Sequence, residues 1–241
     1  MTPLVLVHGF MGGSAQWDLQ QDRLARDRPL IAVDLPGFGE NNSAPPIDSI
    51  PGFADWVIAH LDSLGVTRFH LMGHSMGGMI VQQMAHQAPG RIDRLILYST
   101  GAVGILPGRF ETIAQSKERA AQDGVKPTAR RISATWFLDS KTAPEYKACA
   151  RIAEQTAPAA FDAGLDAMQK WSGAEALGAI RSETLVLWGD GDRTYPWGQT
   201  EKLWQDVPDA QLAVVPGCAH AVHLEKPTLF NTLVSDFLAE R

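Results

Sequence analysis

The chain has 241 residues, 45% of them hydrophobic and 20% charged. That excludes a disordered chain and is enough apolar material for one large α/β domain or two small ones. Lys and Arg number 21 against 27 Asp and Glu, a formal charge of −6, with no basic run to meet nucleic-acid phosphate. No apolar stretch approaches the roughly 20 residues of a membrane span. Cys149 and Cys218 lie too far apart for a metal spacing or a disulfide framework.

Met1-Thr2-Pro3 runs straight into the apolar Leu4–Val7, without the basic start and longer apolar stretch of an export signal. A cytoplasmic protein is the expectation. Nearly continuous apolar runs predict strands at Leu4–Val7, Leu30–Val33, Phe69–Met72, Leu95–Tyr98, Leu185–Trp188 and Gln211–Val215, as in a sheet covered on both faces. Helical patterns fall between them at Ala15–Arg26, Pro51–Leu64, Met76–Gln87, Trp197–Gln205 and Thr228–Ala239. Alternating strand and helix predicts a mainly parallel sheet with helices on both faces. From about residue 102 to 179 the rhythm breaks. That stretch is Ala-rich and helical, with Pro107, Pro127, Pro144 and Pro158 spaced as helix boundaries. It is too long for a plain loop and reads as a helical insertion, a candidate lid.

The strongest local signal is Gly73-His74-Ser75-Met76-Gly77, between a predicted strand and a predicted helix. Gly-x-Ser-x-Gly in that setting is the nucleophile elbow, which exposes the serine hydroxyl above a sheet. The helix start brings free N–H groups and a positive dipole end to the same place. A serine needs a base, and seven histidines are available. His60 and His86 sit in helical patterns, His70 lies inside a strand, and His8 and His74 flank glycine turns. His220 follows the last strand, where such sheets gather their catalytic groups, and is preferred over His223. The imidazole needs a carboxylate, and Asp190 and Asp192 both follow the strand ending at Trp188. Two backbone donors for an oxyanion are expected from Met76 and from the glycine-rich first loop, at Phe10.

Taken together, these motifs resemble the α/β-hydrolase superfamily over essentially the whole chain. The pieces that carry the likeness are Leu6-Val7-His8-Gly9-Phe10, Asp34-Leu35-Pro36-Gly37-Phe38-Gly39, the elbow, Gly189-Asp190-Gly191-Asp192, and Gly217-Cys218-Ala219-His220 with His223-Leu224-Glu225-Lys226-Pro227. The resemblance implies an α/β-hydrolase fold of about six strands, with a helical cap inserted before the acid-bearing strand. The core would be 1–101 and 180–241, and the cap 102–179. It also selects Asp192, three residues past the glycine that closes its strand, over Asp190. Ala219 stands where the family's histidine usually follows glycine.

The implied activity is cleavage of a carboxylic ester or lactone by Ser75, Asp192 and His220, with Phe10 and Met76 as the oxyanion hole and no metal or cofactor. The chain looks most like small carboxylesterases and enol-lactone hydrolases; Arg130-Arg131 and Trp136-Phe137 are reminiscent of the latter. An alternative is a carbon–carbon hydrolase of ring-fission products. Those enzymes typically carry tryptophan just after the histidine, where Ala221 and Val222 stand here. Another is a hydrolase-like ligand receptor with little turnover. Ser75 excludes the relatives that use an Asp nucleophile. Trp136, Phe137 and Trp171 are candidate substrate contacts, and Ile105-Leu106 suggests an apolar pocket. Arg109, Arg130 and Arg131 are either a grip for a substrate carboxylate or solvated charges. The expected partner is a small-molecule substrate, with neither nucleic acid nor membrane.

Overall fold

The computed structural model describes residues 1–105 and 111–239. Six strands form one parallel sheet: β1 (Leu4–Val7), β2 (Leu30–Val33), β3 (Phe69–His74), β4 (Ile92–Tyr98), β5 (Glu183–Gly189) and β6 (Gln211–Val215). Their spatial order is β2-β1-β3-β4-β5-β6. The chain therefore runs outward from β1 to β2, then returns past β1 to build the rest. That reversal opens a crevice at the carboxyl ends of β1 and β3, the place where α/β sheets bind ligands.

Alternate strand residues feed two cores. Val5, Val7, Leu71, Leu95 and Leu97 join the helices α2 (Ile50–Ser63) and α3 (Met76–Gln87) on one face. Leu4, Leu6, Met72, Ile96 and Tyr98 pack against Trp17, against Leu24 of α1 (Asp18–Leu24), and against the last helix, Pro227–Leu238. Burial on both faces is why the strands read as unbroken apolar runs. β1, β2 and β6 match their predicted limits. β3, β4 and β5 run longer because the ladders continue through polar ends such as His74, Arg94 and Glu183. The first helix is shorter than predicted, because Ser14–Trp17 winds as a 3-10 turn.

Between β4 and β5 lies a helical segment containing α4 (Ile113–Asp123), α5 (Val125–Ala134), α6 (Tyr146–Ala153) and α7 (Pro158–Gln169). Pro158 opens α7, and Pro127 lies in the first turn of α5, where a missing N–H costs nothing. Pro144 precedes α6, and Pro107 falls outside the described residues. A capping box of Thr112 and Gln115 starts α4. The two ends of the segment meet: Val103 pairs antiparallel with Ser172, and Gly173 N–H donates to Ala102 O at 2.8 Å. The remaining helices are α8 (Trp197–Asp206), the one-turn α9 (Val222–Glu225) and α10 (Pro227–Leu238).

One glycine shows how tightly α3 is seated. A Cβ on Gly77 would stand 2.3 Å from Val7 O and 2.5 Å from His8 O, so helix backbone rests directly on the end of β1. Gly77→Ala should therefore cost about 1–3 kcal/mol in urea unfolding, because a backbone carbonyl cannot yield as a side chain can. Gly90→Ala, which would meet nothing within 4 Å, should stay within about 0.5 kcal/mol of the parent. Equal effects at both positions would refute this account.

Candidate active site

Ser75 stands between β3 and α3 with φ 56° and ψ −119°. This left-handed conformation is costly for a residue with a Cβ and persists only where the surroundings enforce it. Three contacts do so. Ser75 N–H donates to Tyr98 O at 3.0 Å, and Ser75 O accepts from Gly78 N–H at 2.9 Å. Thr100 Oγ1 donates to the same carbonyl at 2.7 Å. The serine hydroxyl does not cap α3, and the residue is 8% exposed.

The loop after β1 lies against this turn: a Cβ on Gly9 would come within 2.9 Å of Ser75 Cβ. Its direction is set by His8. Leu35 N–H donates to His8 Nε2 at 3.0 Å, so the ring proton resides on Nδ1 and donates to Gly9 O at 2.8 Å. Gly12 N–H reaches the same carbonyl at 3.0 Å. With Gly9 O anchored there, the Phe10 N–H of the same planar peptide must point the opposite way. The Phe10 ring is packed by Phe38 and Phe161, with centroids at 6.0 and 5.2 Å. Met76 N–H is in the first turn of α3, where helix geometry supplies no partner.

Asp192 and His220 meet at the carboxyl ends of β5 and β6. His220 Nδ1 lies 2.8 Å from Asp192 Oδ2, and the two side chains are 1% and 0% exposed. Asp192 Oδ1 accepts the N–H groups of Thr194 at 2.7 Å and Tyr195 at 3.1 Å. The carboxylate is thus saturated on one oxygen and aimed at the imidazole with the other, which leaves His220 Nε2 as the free ring nitrogen. Tyr195 stacks on the His220 ring at 5.6 Å, and Trp136 approaches it at 6.2 Å. The rival Asp190 accepts Gly217 N–H at 2.7 Å and so anchors the histidine's loop.

Beneath His220 lie two further imidazoles. His74 Nε2–H donates to His220 O at 3.1 Å. His223 packs on Trp17 at 4.8 Å, and its Nδ1 is 2.8 Å from Tyr98 Oη, which also lies 3.2 Å from His220 O. Burial, reinforced by the neighbouring histidines, holds His74 well below the ordinary imidazole range. Burial first, then the His220 charge, lowers His223 to about 3. Burial lowers His8 to about 4. All three are neutral. Burial also pushes the Cys218 thiol up to about 11, so it is not a thiolate near neutral pH.

The aromatic candidates separate. Trp136 reaches His220. Phe137 is fully buried against Tyr146 inside the helical segment. Trp171 donates to Gln83 Oε1 on α3 at 3.3 Å and lines a cleft of about 480 Å³ with Gln82, His86 and Leu177. Arg130 is held by Glu154, and Arg131 makes a two-pronged pair with Glu111 at 2.8 and 2.9 Å. Both guanidiniums are thus already paired with carboxylates of the chain; Arg109 and Leu106 fall outside the described residues. Sequence reasoning misses the contacts of Thr100, Tyr98 and Glu225, which join side chains to distant backbone. No group of three or more His, Cys, Asp or Glu able to hold a metal occurs among the described residues, and none of their helices is long and apolar enough to cross a membrane.

A family model described as the alpha/beta hydrolase fold matches residues 2–227. A 2-hydroxy-6-oxo-2,4-heptadienoate hydrolase of Pseudomonas putida is 34% identical over 98% of this chain and 89% of its own length. The dihydrolipoyllysine-residue acetyltransferase component of an acetoin cleaving system, also from Pseudomonas putida, is 30% identical over 98% of this chain; the match spans 63% of that relative. Among solved structures, an esterase of Thermogutta terrifontis superposes with a TM-score of 0.89 at 26% identity, covering 99% of this chain and 89% of its own.

The neutral imidazoles give stability a definite pH dependence. Below about pH 6.5 the unfolded chain protonates His8, His74 and His223 while the fold does not, so stability is complete above that pH and lost as pH falls toward 4. Each contributes a slope of about 1.4 kcal/mol per pH unit in that window. Tm measured from pH 7 to 4.5 should fall steeply, and His223→Phe should flatten the slope. A level profile would show that these rings are not buried neutral.

Proposed function

The chain belongs to the α/β-hydrolase fold family, and on that premise we propose that it is a serine hydrolase of carboxylic esters or lactones. The observation that carries this reading is the buried Asp192–His220 hydrogen bond at 2.8 Å, taken with a serine held at φ 56° on the strand-to-helix turn. His220 Nε2 takes the Ser75 hydroxyl proton as Oγ attacks the carbonyl carbon. Asp192 keeps the imidazole in the Nδ1–H tautomer and stabilises the imidazolium that forms. The N–H groups of Phe10 and Met76 receive the oxyanion. His220 then protonates the leaving alkoxide, and water, deprotonated by the same nitrogen, cleaves the acyl-enzyme. Every group in these steps belongs to the chain, the substrate or water.

In this reading the helical segment is the cap, and Trp136 presents an apolar wall beside His220. The paired state of Arg130 and Arg131 favours an uncharged substrate. A second reading, carbon–carbon cleavage of an oxo-dienoate, is favoured by the 34% identical heptadienoate hydrolase. It would use the same Ser75, Asp192 and His220.

Ser75→Ala should lower turnover of an aryl ester by about a thousandfold or more without loss of fold, since triad members act as a unit. Full activity in that variant would refute the nucleophile. A panel of aryl esters, lactones and 2-hydroxy-6-oxo-dienoates separates the two readings: turnover of the dienoate alone rejects the ester assignment. Arg130→Ala and Arg131→Ala should leave the preference between carboxylated and neutral substrates unchanged, and a selective loss on carboxylated ones would overturn the paired-arginine argument.

A further inference from the structure

Glu225 lies in α9, five residues beyond the candidate base, and has no part in the chemistry above. Its two carboxylate oxygens receive backbone N–H groups from opposite directions. Oε2 accepts Ala219 N–H at 2.6 Å, from the residue before His220. Oε1 accepts Leu138 N–H at 2.8 Å, from the turn that follows α5 in the helical segment. The residue after His220 is tied to the same turn: Ala221 N–H donates to Trp136 O at 3.0 Å. His220 is thus bracketed by two attachments to residues 136–138, one direct and one through Glu225.

That turn also touches the acid's loop. Arg193 donates to Leu138 O at 3.2 Å. A Cβ on Gly191 would stand 2.5 Å from Leu138 Cδ2, so glycine leaves room for the leucine between the two loops. We propose that Glu225 is a positioning residue whose carboxylate locks the Trp136–Leu138 turn to the His220 loop and thereby fixes the imidazole against Asp192. The proposal rests on the reading of His220 as the base. Here each of the two N–H donors is received by its own carboxylate oxygen. An amide offers one and turns an NH2 group toward the other donor. Glu225→Gln should therefore resemble Glu225→Ala and differ from the parent, although its volume is conserved.

The experiment compares E225Q and E225A with the parent in three measurements: aryl-ester kinetics, thermal midpoint, and the far-downfield proton resonance of the His220 Nδ1–H···Asp192 hydrogen bond. Displacement of a catalytic group by about an ångström can cost up to about a hundredfold. We expect kcat to fall about tenfold to a hundredfold with KM little changed, and the resonance to shift or broaden. A parental kcat or a parental resonance in E225Q overturns the proposal. If E225A does not fold, the isosteric E225Q decides alone. Should S75A retain full activity, the ester reading fails, and the resonance in E225Q still judges the clamp.

Discussion

A single buried contact, Asp192 Oδ2 to His220 Nδ1 at 2.8 Å, sets the terms for everything around it. A carboxylate with no exposed side-chain surface is expensive, several kcal/mol even after relaxation, unless its lone pairs are filled. Here the backbone fills them: Thr194 and Tyr195 N–H groups take one oxygen and the imidazole takes the other. Three buried neighbours of the pair carry no charge. His74 and His223 are held neutral by burial, and Tyr98 keeps its proton because burial raises its pKa well above 10. The imidazole is therefore held by a directly hydrogen-bonded carboxylate among neutral rings.

Supporting such a pair requires four loops to arrive at one edge. The sheet order does this by placing β1 beside β3 and β5 beside β6, so the first loop, the elbow, the acid loop and the histidine loop share the carboxyl side. Close approach then depends on missing side chains. Gly9 faces Ser75, Gly77 faces the end of β1, and Gly191 admits Leu138. The helical segment is attached on the same side, through Trp136 O and Leu138 N–H. Sheet, histidine loop and helical segment are thereby coupled through backbone hydrogen bonds.

Most of the framework is legible in the sequence, because burial on both faces turns strands into continuous apolar runs and the elbow has a fixed glycine spacing. The helical segment is legible as an absence of strands and a spacing of prolines. Asp192 is separated from Asp190 only by a family offset; in the structure the two divide the labour, one holding His220 and the other anchoring Gly217. The roles of Tyr98, Thr100 and Glu225 carry no periodic signature, since each joins a side chain to backbone at the end of another element. Phe137 and Trp136 are adjacent and equally aromatic, yet one lies inside the segment and the other beside His220. The phase of the turn after α5, which decides this, is set by tertiary contacts that local pattern does not contain.

The antiparallel pairing of Val103 with Ser172 closes the helical segment at its base. Its two ends lie side by side just beyond the carboxyl end of β4, and residues 173–182 then cross back to start β5 parallel to β4. Loop-closure entropy grows only slowly with length, by about 0.6 kcal/mol per doubling. The segment nevertheless shares the core of the sheet, through Phe161 against Phe10 and Ala157 N–H on Gly37 O. Insertions within the segment thus carry a modest closure cost, provided the Trp136–Leu138 turn that grips the histidine loop is kept.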